Sequence, residues 1–562
     1  SCPITTIICL ILIFTIVPLT GERSIVTLYY TLSSFEKAYG VSSDTYDVST
    51  GTSTFQQIYR EQNFYDFLNN TLATSVFYSD PSNAVNEGGP VLTSNSIIGG
   101  VRFRQMRVKT RNCSNIPDKF QKIIPCFYMN YDDSIRETTT ITPAGNTTLL
   151  FPWQLDWTQW QQASALGAKA GIDGQLASFD GSGYTVDVPW GTSQSDFQTF
   201  VATMQNNSYL GLNTRAVVIT FTLYNEVGEF FVYHELVVEM IPTGILFPSR
   251  VNIIPFRCSF RTSAAGRPPH ETYDALRTIC AVILTIFLLY RVICTEGKDS
   301  KYDIGYLMRF QGSLNVLIVI ICYVSIALND NLGRDSVAEL SLSELLTTLD
   351  YIDMKHLALG YETAITVMGV ICGLTIVRLA TVLTMNSRFY MIITSLEEAR
   401  KQIFDYCIIF FPLLFAFTIA GMNLFGLNYN SFNNFSDAFI ALLLFGLGQV
   451  QGKIFVGPTS GTLIVIFFTL FYFFVTFFLV TVFTGIYIDS YRVTIMDYGY
   501  DFIEKDGWTY KELVEWFLPK FVFSRLKKYS IKLWEKITKA KEGVQSIKKK
   551  KKKARVNTED EQ

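Results

Sequence analysis

Near the end of the chain the run Phe435 to Gly448 (FSDAFIALLLFGLG) is followed by Gln449, and Gly446, Leu447, Gly448 and Gln449 concentrate the chemistry this sequence offers. None of the four is a nucleophile, an acid or a base. A helix from about Phe435 to Phe445 ends in carbonyl dipoles that carry partial negative charge. Gly446 and Gly448 permit backbone conformations other residues resist, so further carbonyl oxygens can turn toward the same point. Gln449 adds an amide. Four such ends around an axis would hold a cation loosely, through neutral oxygens. The run is too short to cross a bilayer, so it reads as a buried helix or a re-entrant segment. Non-helical backbone at membrane depth is tolerated only inside protein or beside water. A surface amphipathic helix is the competing reading, but apolar residues cover nearly every side of the run.

Bond-breaking chemistry finds no support. There is no HExxH, Walker loop, nucleophile elbow or convincing dinucleotide fingerprint, and with three histidines and no zinc spacing a metal site is not expected. The chain therefore reads as a non-enzyme without a cofactor. Its net charge of −2, with the basic residues gathered in the tail, gives no ground for a nucleic-acid partner.

The elements that must position the glycine run are membrane helices. The composition is 49% hydrophobic and only 17% charged, against about 25% charged in soluble domains. Crossing the hydrocarbon takes about 20 apolar residues, and six stretches qualify: 1–21; 278–290, extended through Arg291 to Cys294; 310–329; 363–377, continued past Arg378 to Ser387; 406–436; and 462–488. The last could reach about 40 Å and is expected to project into water at one end. The chain opens on Ser inside an apolar run, so it is expected to begin at or within its first span; a signal peptide is the alternative.

Positive residues fix the orientation. Lys298, Lys301 and Arg309, then Arg388, Arg400 and Lys401, and the basic tail belong inside, while the acidic loop 330–355 belongs outside. Complete glycosylation sequons occur at Asn69, Asn112, Asn146, Asn206 and Asn434, all on segments placed outside, so N-linked glycans are expected. Residues 30–270 form the large outer domain, with strands expected at 101–109, 214–224 and 229–241 and helical spacing over 55–72. In 229–241, Phe230, Val232, Leu236, Val238 and Met240 share one face while Glu235 and Glu239 share the other. His234 falls on the apolar face and is expected to be packed and hydrogen-bonded. Of the cysteines outside the spans, Cys113 and Cys126 flank a short segment and are expected to form a disulfide, leaving Cys258 over.

Several runs resemble polycystin channels. In the outer domain these are RVKTRNCSNIPDKFQKIIPCFYMNY (107–131), whose two cysteines match the family's disulfide pair, FDGSGYTVDV (179–188), GLNTRAVVITFTLYN (211–225) and VVEMIPTGILFPS (237–249). Further on they are KHLALGYETAI (355–365), LFGLGQ (444–449) and TGIYIDSY (484–491). The resemblance implies an α-helical membrane protein of six transmembrane helices. A voltage-sensor-like four-helix bundle would precede a two-helix pore domain with a re-entrant pore helix, and a mixed α/β polycystin domain would stand outside. The corresponding segments are 1–29 (first span), 30–270 (outer domain), 271–400 (spans two to four and linker), 401–491 (pore domain) and 492–562 (cytoplasmic basic tail). It also implies a homotetramer, or a heterotetramer with a polycystin-one-like subunit, in a ciliary, plasma or endoplasmic reticulum membrane, conducting sodium, potassium and some calcium.

The sequence departs from the family pattern at three places. Gln449 stands where the family's filter commonly carries an acid, Ile488 where its pore exit carries asparagine, and Lys453 lies in a short loop after the filter. Without a carboxylate ring, mainly monovalent permeation is expected. Thr484 and Ile488, one turn apart, share a face and could form a lower gate that closes by dewetting, or could face lipid. Arg378 is the only membrane-depth cation of the fourth span, so voltage dependence should be weak. Lys548, Lys549, Lys550, Lys551, Lys552, Lys553 and Arg555 form either a solvated tail or an anionic-lipid site. Gln449 and Lys453 also favour the alternative, a non-conducting anchor or receptor subunit holding an extracellular ciliary filament.

Overall fold

In a computed structural model of the chain, the described residues are 8–13, 25–41, 54–79, 91, 95–111, 113, 126–142, 156–228, 230–256, 269–294, 310–333, 342–380, 387–426, 429–446, 448 and 461–498. They belong to two compact units, Ile11–Thr295 with Asn315–Thr375, and Ser1–Leu10 with Glu296–Leu314 and Ile376–Gln562.

The core of the sheet-rich unit is a six-stranded sheet of β1 (Asn95–Arg107), β2 (Trp160–Gln161), β3 (Gly183–Pro189), β4 (Thr214–Asn225), β5 (Phe230–Met240) and β6 (Leu246–Phe256), in the order β6-β5-β4-β1-β3-β2. Every pairing is antiparallel. These segments are rich in Val, Ile, Phe and Thr, which suit a pleated surface. On one face Phe103, Val217, Ile219, Phe221, Val232 and Leu236 pack with α1 (Ile25–Tyr39) and with a helical run made of α2 (Glu61–Asp66), a π turn (Phe67–Leu72) and α3 (Ala73–Val76). The same layer holds α4 (Gln194–Asn206), which Ser193 caps by accepting from the Asp196 amide at 3.1 Å.

The other face is also covered, which alternation along β5 does not reveal. Glu235 and Glu239 are 0% and 1% exposed. Each is buried because it has partners. Glu239 accepts from the amides of Gln175, Leu176 and Ala177 at 2.6, 3.2 and 3.3 Å. Glu235 accepts from Lys355 at 2.5 Å, Asn252 at 2.8 Å and Tyr233 at 3.2 Å. His234, on the opposite face, stacks on Phe221 at 4.6 Å and shares a hydrogen bond with Tyr39 at 3.3 Å. Burial lowers its pKa from 6.5 to about 3. The folded state thus favours neutral histidine, so this stabilisation is complete above the unfolded value and drains away as pH falls from 6.5 toward 3. Between pH 7 and pH 5 this site is expected to cost about 2 kcal/mol. Melting wild type and His234→Phe at both pH values checks it, the variant losing that share of the pH slope.

The same unit holds α5 (Pro269–Cys294), most of α6 (Phe310–Gly333), the short α7 (Leu342–Thr347) and most of α8 (Lys355–Ala380); α6 up to Leu314 and α8 from Ile376 fall in the other unit. α5 and α6 bury Cys280, Leu284, Ile318 and Cys322, and Thr285 bonds Tyr323 at 3.2 Å. The acidic loop read between two spans is not merely a loop. Its second half forms α7 and a strap that lies on the sheet.

In the other unit α9 (Ser387–Phe425) is one helix of 39 residues, about 58 Å long. The basic stretch 388–401, read from sequence as a linker, continues without a break into the span. Its buried residues include Met391, Ser395, Ala399, Tyr406, Phe410, Leu414, Thr418 and Phe425, at helical spacing. Pro412 sits inside this helix, removing one backbone donor. The apolar stretch 406–436 is divided: the helix stops at Phe425, where the Gly426 amide bonds the Met422 carbonyl at 2.9 Å. The last predicted span is built of α11 (Gly461–Phe471), a π turn (Tyr472–Phe477) and α12 (Phe478–Tyr498), with α10 (Phe435–Gly446) before it.

Among the described residues, Lys355–Ala380 and Tyr390–Phe425 are long and apolar enough to cross a membrane, while Ala275–Tyr290, Gly312–Leu328, Phe435–Gly446 and Thr462–Val475 are shorter apolar helices. Of the first predicted span, only residues 8–13 are described, as helix.

Candidate pore site

α10 is a helix because its residues are good formers bracketed by a start and a stop. Ala438 donates to the Asn434 carbonyl at 3.0 Å, and Asp437 in the first turn suits the positive end of the dipole. Ala438 and Leu442 are buried in an apolar cluster with Leu414, Phe425, Phe467 and Phe471. Phe445 packs on Phe468 at 4.7 Å and on Phe471 at 5.6 Å. α10 is thereby held between α9 and α11.

At that end the two glycines differ. Gly446 closes the helix, and a Cβ there would meet Phe471 and Val475 at an ordinary 3.9 Å. Gly448 has φ +88° in open space and donates to the Phe445 carbonyl at 3.0 Å. This is the left-handed turn that an L side chain resists by roughly 1–2 kcal/mol. In the pore that the sequence predicts, Gly448→Ala is therefore expected to lower unitary current several-fold and Gly446→Ala to leave it near wild type, as single-channel amplitudes would show. Leu447, Gln449 and Lys453 lie outside the described residues.

Thr484 and Ile488 lie on one side of α12, and both are exposed in the single chain, Ile488 by 51%. Ser490 and Thr494, buried at 4% and 3%, mark a different side. Ile488 is therefore left uncovered within the single chain. The π turn before α12 gave no sequence signal, since YFFVTF holds no charge, glycine or proline.

The remaining predicted positions are scattered over the outer domain, the residue before α10 and the tail. Cys113 and Cys126 are joined, with Cα atoms 5.4 Å apart, and Arg111 pairs with Cys126 in a small ladder. Asn206 and Asn434 are exposed, while Asn69 is half-buried in the π turn with its Oδ1 enclosed. Asn112, Asn146, Cys258, Lys548, Lys549, Lys550, Lys551, Lys552, Lys553 and Arg555 lie outside the described residues. No cluster of three or more metal-ligating side chains occurs among the described residues. Sequence reasoning passed over Arg102, Tyr351 and Lys355; a lysine opening a helix, against the dipole, was the available clue.

Comparison with known proteins follows the same division. A family model described as Polycystin domain matches residues 54–257, and one described as Polycystin cation channel matches residues 270–494. Polycystin-2 of Caenorhabditis elegans is 22% identical over 511 residues, covering 89% of this chain and 65% of the relative. Polycystin-2-like protein 1 of Homo sapiens is 25% identical over 476 residues, covering 84% and 55%. Polycystin-2 of Danio rerio is 24% identical over 450 residues, covering 79% and 47%. The chain thus spans between about half and two thirds of the length of these relatives. The two matched segments take in the sheet-rich domain and the helices from α5 almost to the end of α12, and the chain belongs to the polycystin cation channel family.

Proposed function

We propose that this chain is one subunit of a tetrameric cation channel, with six spans and the sheet-rich domain outside the membrane. The observation that carries this reading is α10. It is a short apolar helix clamped between two longer ones, it stops at Gly446, and it turns left-handed at Gly448. Gly446, Leu447, Gly448 and Gln449 form the filter, and four copies of Thr484 and Ile488 form the lower gate. Gln449 supplies amide dipoles in place of charge, so sodium and potassium pass with little preference for calcium. The protein is a channel and not an enzyme. Glycans sit at the accessible sequons, the polybasic tail meets anionic lipid, and the assembly is a homotetramer or includes a polycystin-one-like subunit in a ciliary, plasma or endoplasmic reticulum membrane.

Reversal potentials of the purified chain in planar bilayers, in mixed sodium and calcium solutions, test this reading. Currents following the sodium gradient support it, and a strong calcium preference contradicts the selectivity. Gln449 and Lys453 favour a second reading, a non-conducting anchor whose outer domain holds an extracellular ciliary filament; bilayers that stay silent would favour it.

A further inference from the structure

Lys355 begins α8, and no acidic residue lies in that helix's first turn. A cation there opposes the helix dipole, and its side chain is only 6% exposed. Both costs are met by one residue from the outer domain. Glu235 of β5, with its side chain 0% exposed, accepts from the Lys355 ammonium at 2.5 Å and is held in place by Asn252 and Tyr233. The Asp353 carboxylate accepts from the Lys355 amide at 2.9 Å.

The residues before Lys355 are fastened to the same sheet. The Asp350 backbone lies against Gly99, whose φ is +69° and where a Cβ would collide with the Asp350 carbonyl. Tyr351 donates to Thr220 at 2.9 Å. Burial, and next the charge of Asp353, raise its pKa far above the ordinary value, so the hydroxyl remains a donor. The Arg102 guanidinium stacks on its ring at 4.1 Å and is fixed by two bonds to Asp187, at 2.7 and 2.8 Å. Leu345, Met354, Leu357 and Ala358 complete an apolar seal with Ile98, Phe231 and Tyr233. The strap has no slack: its hydrogen bonds, its stacking and its buried ion pair all bind the start of α8 to β1, β4 and β5.

We propose that Tyr351 and Lys355 are positioning residues for gating, a clamp that makes α8 move with the outer domain, so that displacement of the sheet biases opening. This rests on the channel reading above. α8 runs from the clamp to Ala380 and carries Arg378 near its far end, so a shift of its first turn displaces a whole helix. A buried ion pair is a poor choice for stability alone, since well-packed apolar residues often serve as well or better. Its value is directional: it fixes one register between helix and sheet.

The test is single-channel recording of the full chain in bilayers, alongside surface labelling. Glu235→Gln with Lys355→Met removes both charges at similar volume. It is expected to change open probability on the order of 10-fold, within the usual range for coupled sites, while unitary conductance and reversal potential stay unchanged. Glu235→Lys with Lys355→Glu restores the pair and places an acid at the helix start; it is expected to return open probability toward wild type. If the neutral pair fails to reach the surface, Tyr351→Phe, which removes only the bond to Thr220, is expected to shift open probability the same way as breaking the clamp does, by a smaller factor. Wild-type open probability in the neutral pair, or in Tyr351→Phe should that pair fail to reach the surface, overturns the clamp. So does a charge swap no better than the neutral pair. A wild-type chain that carries no current overturns the channel reading, and the clamp with it.

Discussion

Gln449→Asp is expected to make the proposed pore hold divalent cations, raising calcium affinity on the order of 100-fold or more. Four carboxylates would replace four amides around one axis. Unit charges 4 Å apart interact by about 4 kcal/mol at an effective dielectric of 20, so even a fraction of that from each subunit sums to several kcal/mol, and each 1.4 kcal/mol is tenfold in affinity. The same variant should show millimolar calcium blocking sodium current at concentrations that leave wild type unaffected. Calcium block curves on the two proteins measure this. Equal block in both would mean that residue 449 does not face the ion path.

Ile488→Asn is expected to produce a channel that closes poorly, with resting open probability raised on the order of 10-fold. Ile488 is exposed on α12, on a different side from the buried Ser490 and Thr494, and an isoleucine ring holds a narrow passage dry. Asparagine keeps water in that passage without adding charge, so selectivity should not change. Ile488→Leu should gate as wild type does. If both variants behave alike, the residue faces lipid and the constriction lies elsewhere on the helix.

What the sequence reveals depends on how local the cause is. The strands of the outer domain follow from alternation in segments such as Phe230–Met240, and α10 from a short apolar run ending in glycine. The stop of α9 at Phe425 was also written locally, in Gly426 and the asparagines after it, but an uninterrupted apolar count through residue 436 hides it. The burial of Glu235 and Glu239 is a different matter. The cation that pairs with Glu235, Lys355, and the amides of 175–177 that bind Glu239 lie far along the chain, and no charge near either glutamate distinguishes a buried carboxylate from a solvated one. The π turn at Tyr472–Phe477 lies in a run where every residue is apolar or small, so no side-chain pattern marks the extra residue in the turn. At the proposed filter, the glycines were readable as glycines. That only Gly448 takes the left-handed conformation, while Gly446 ends the helix, is a property of the backbone.

The most direct measurement is to place cysteine at Gly446, Leu447, Gly448 and Gln449 in turn, and to apply a water-borne thiol reagent from each side while current is recorded, with wild type as the control for native thiols. Current block at one or more of these positions from the outer side, slowed by high concentrations of permeant cation, is the expected result. Four positions that stay unmodified from either side, in protein whose current is intact, would show that ions take no path along the end of α10.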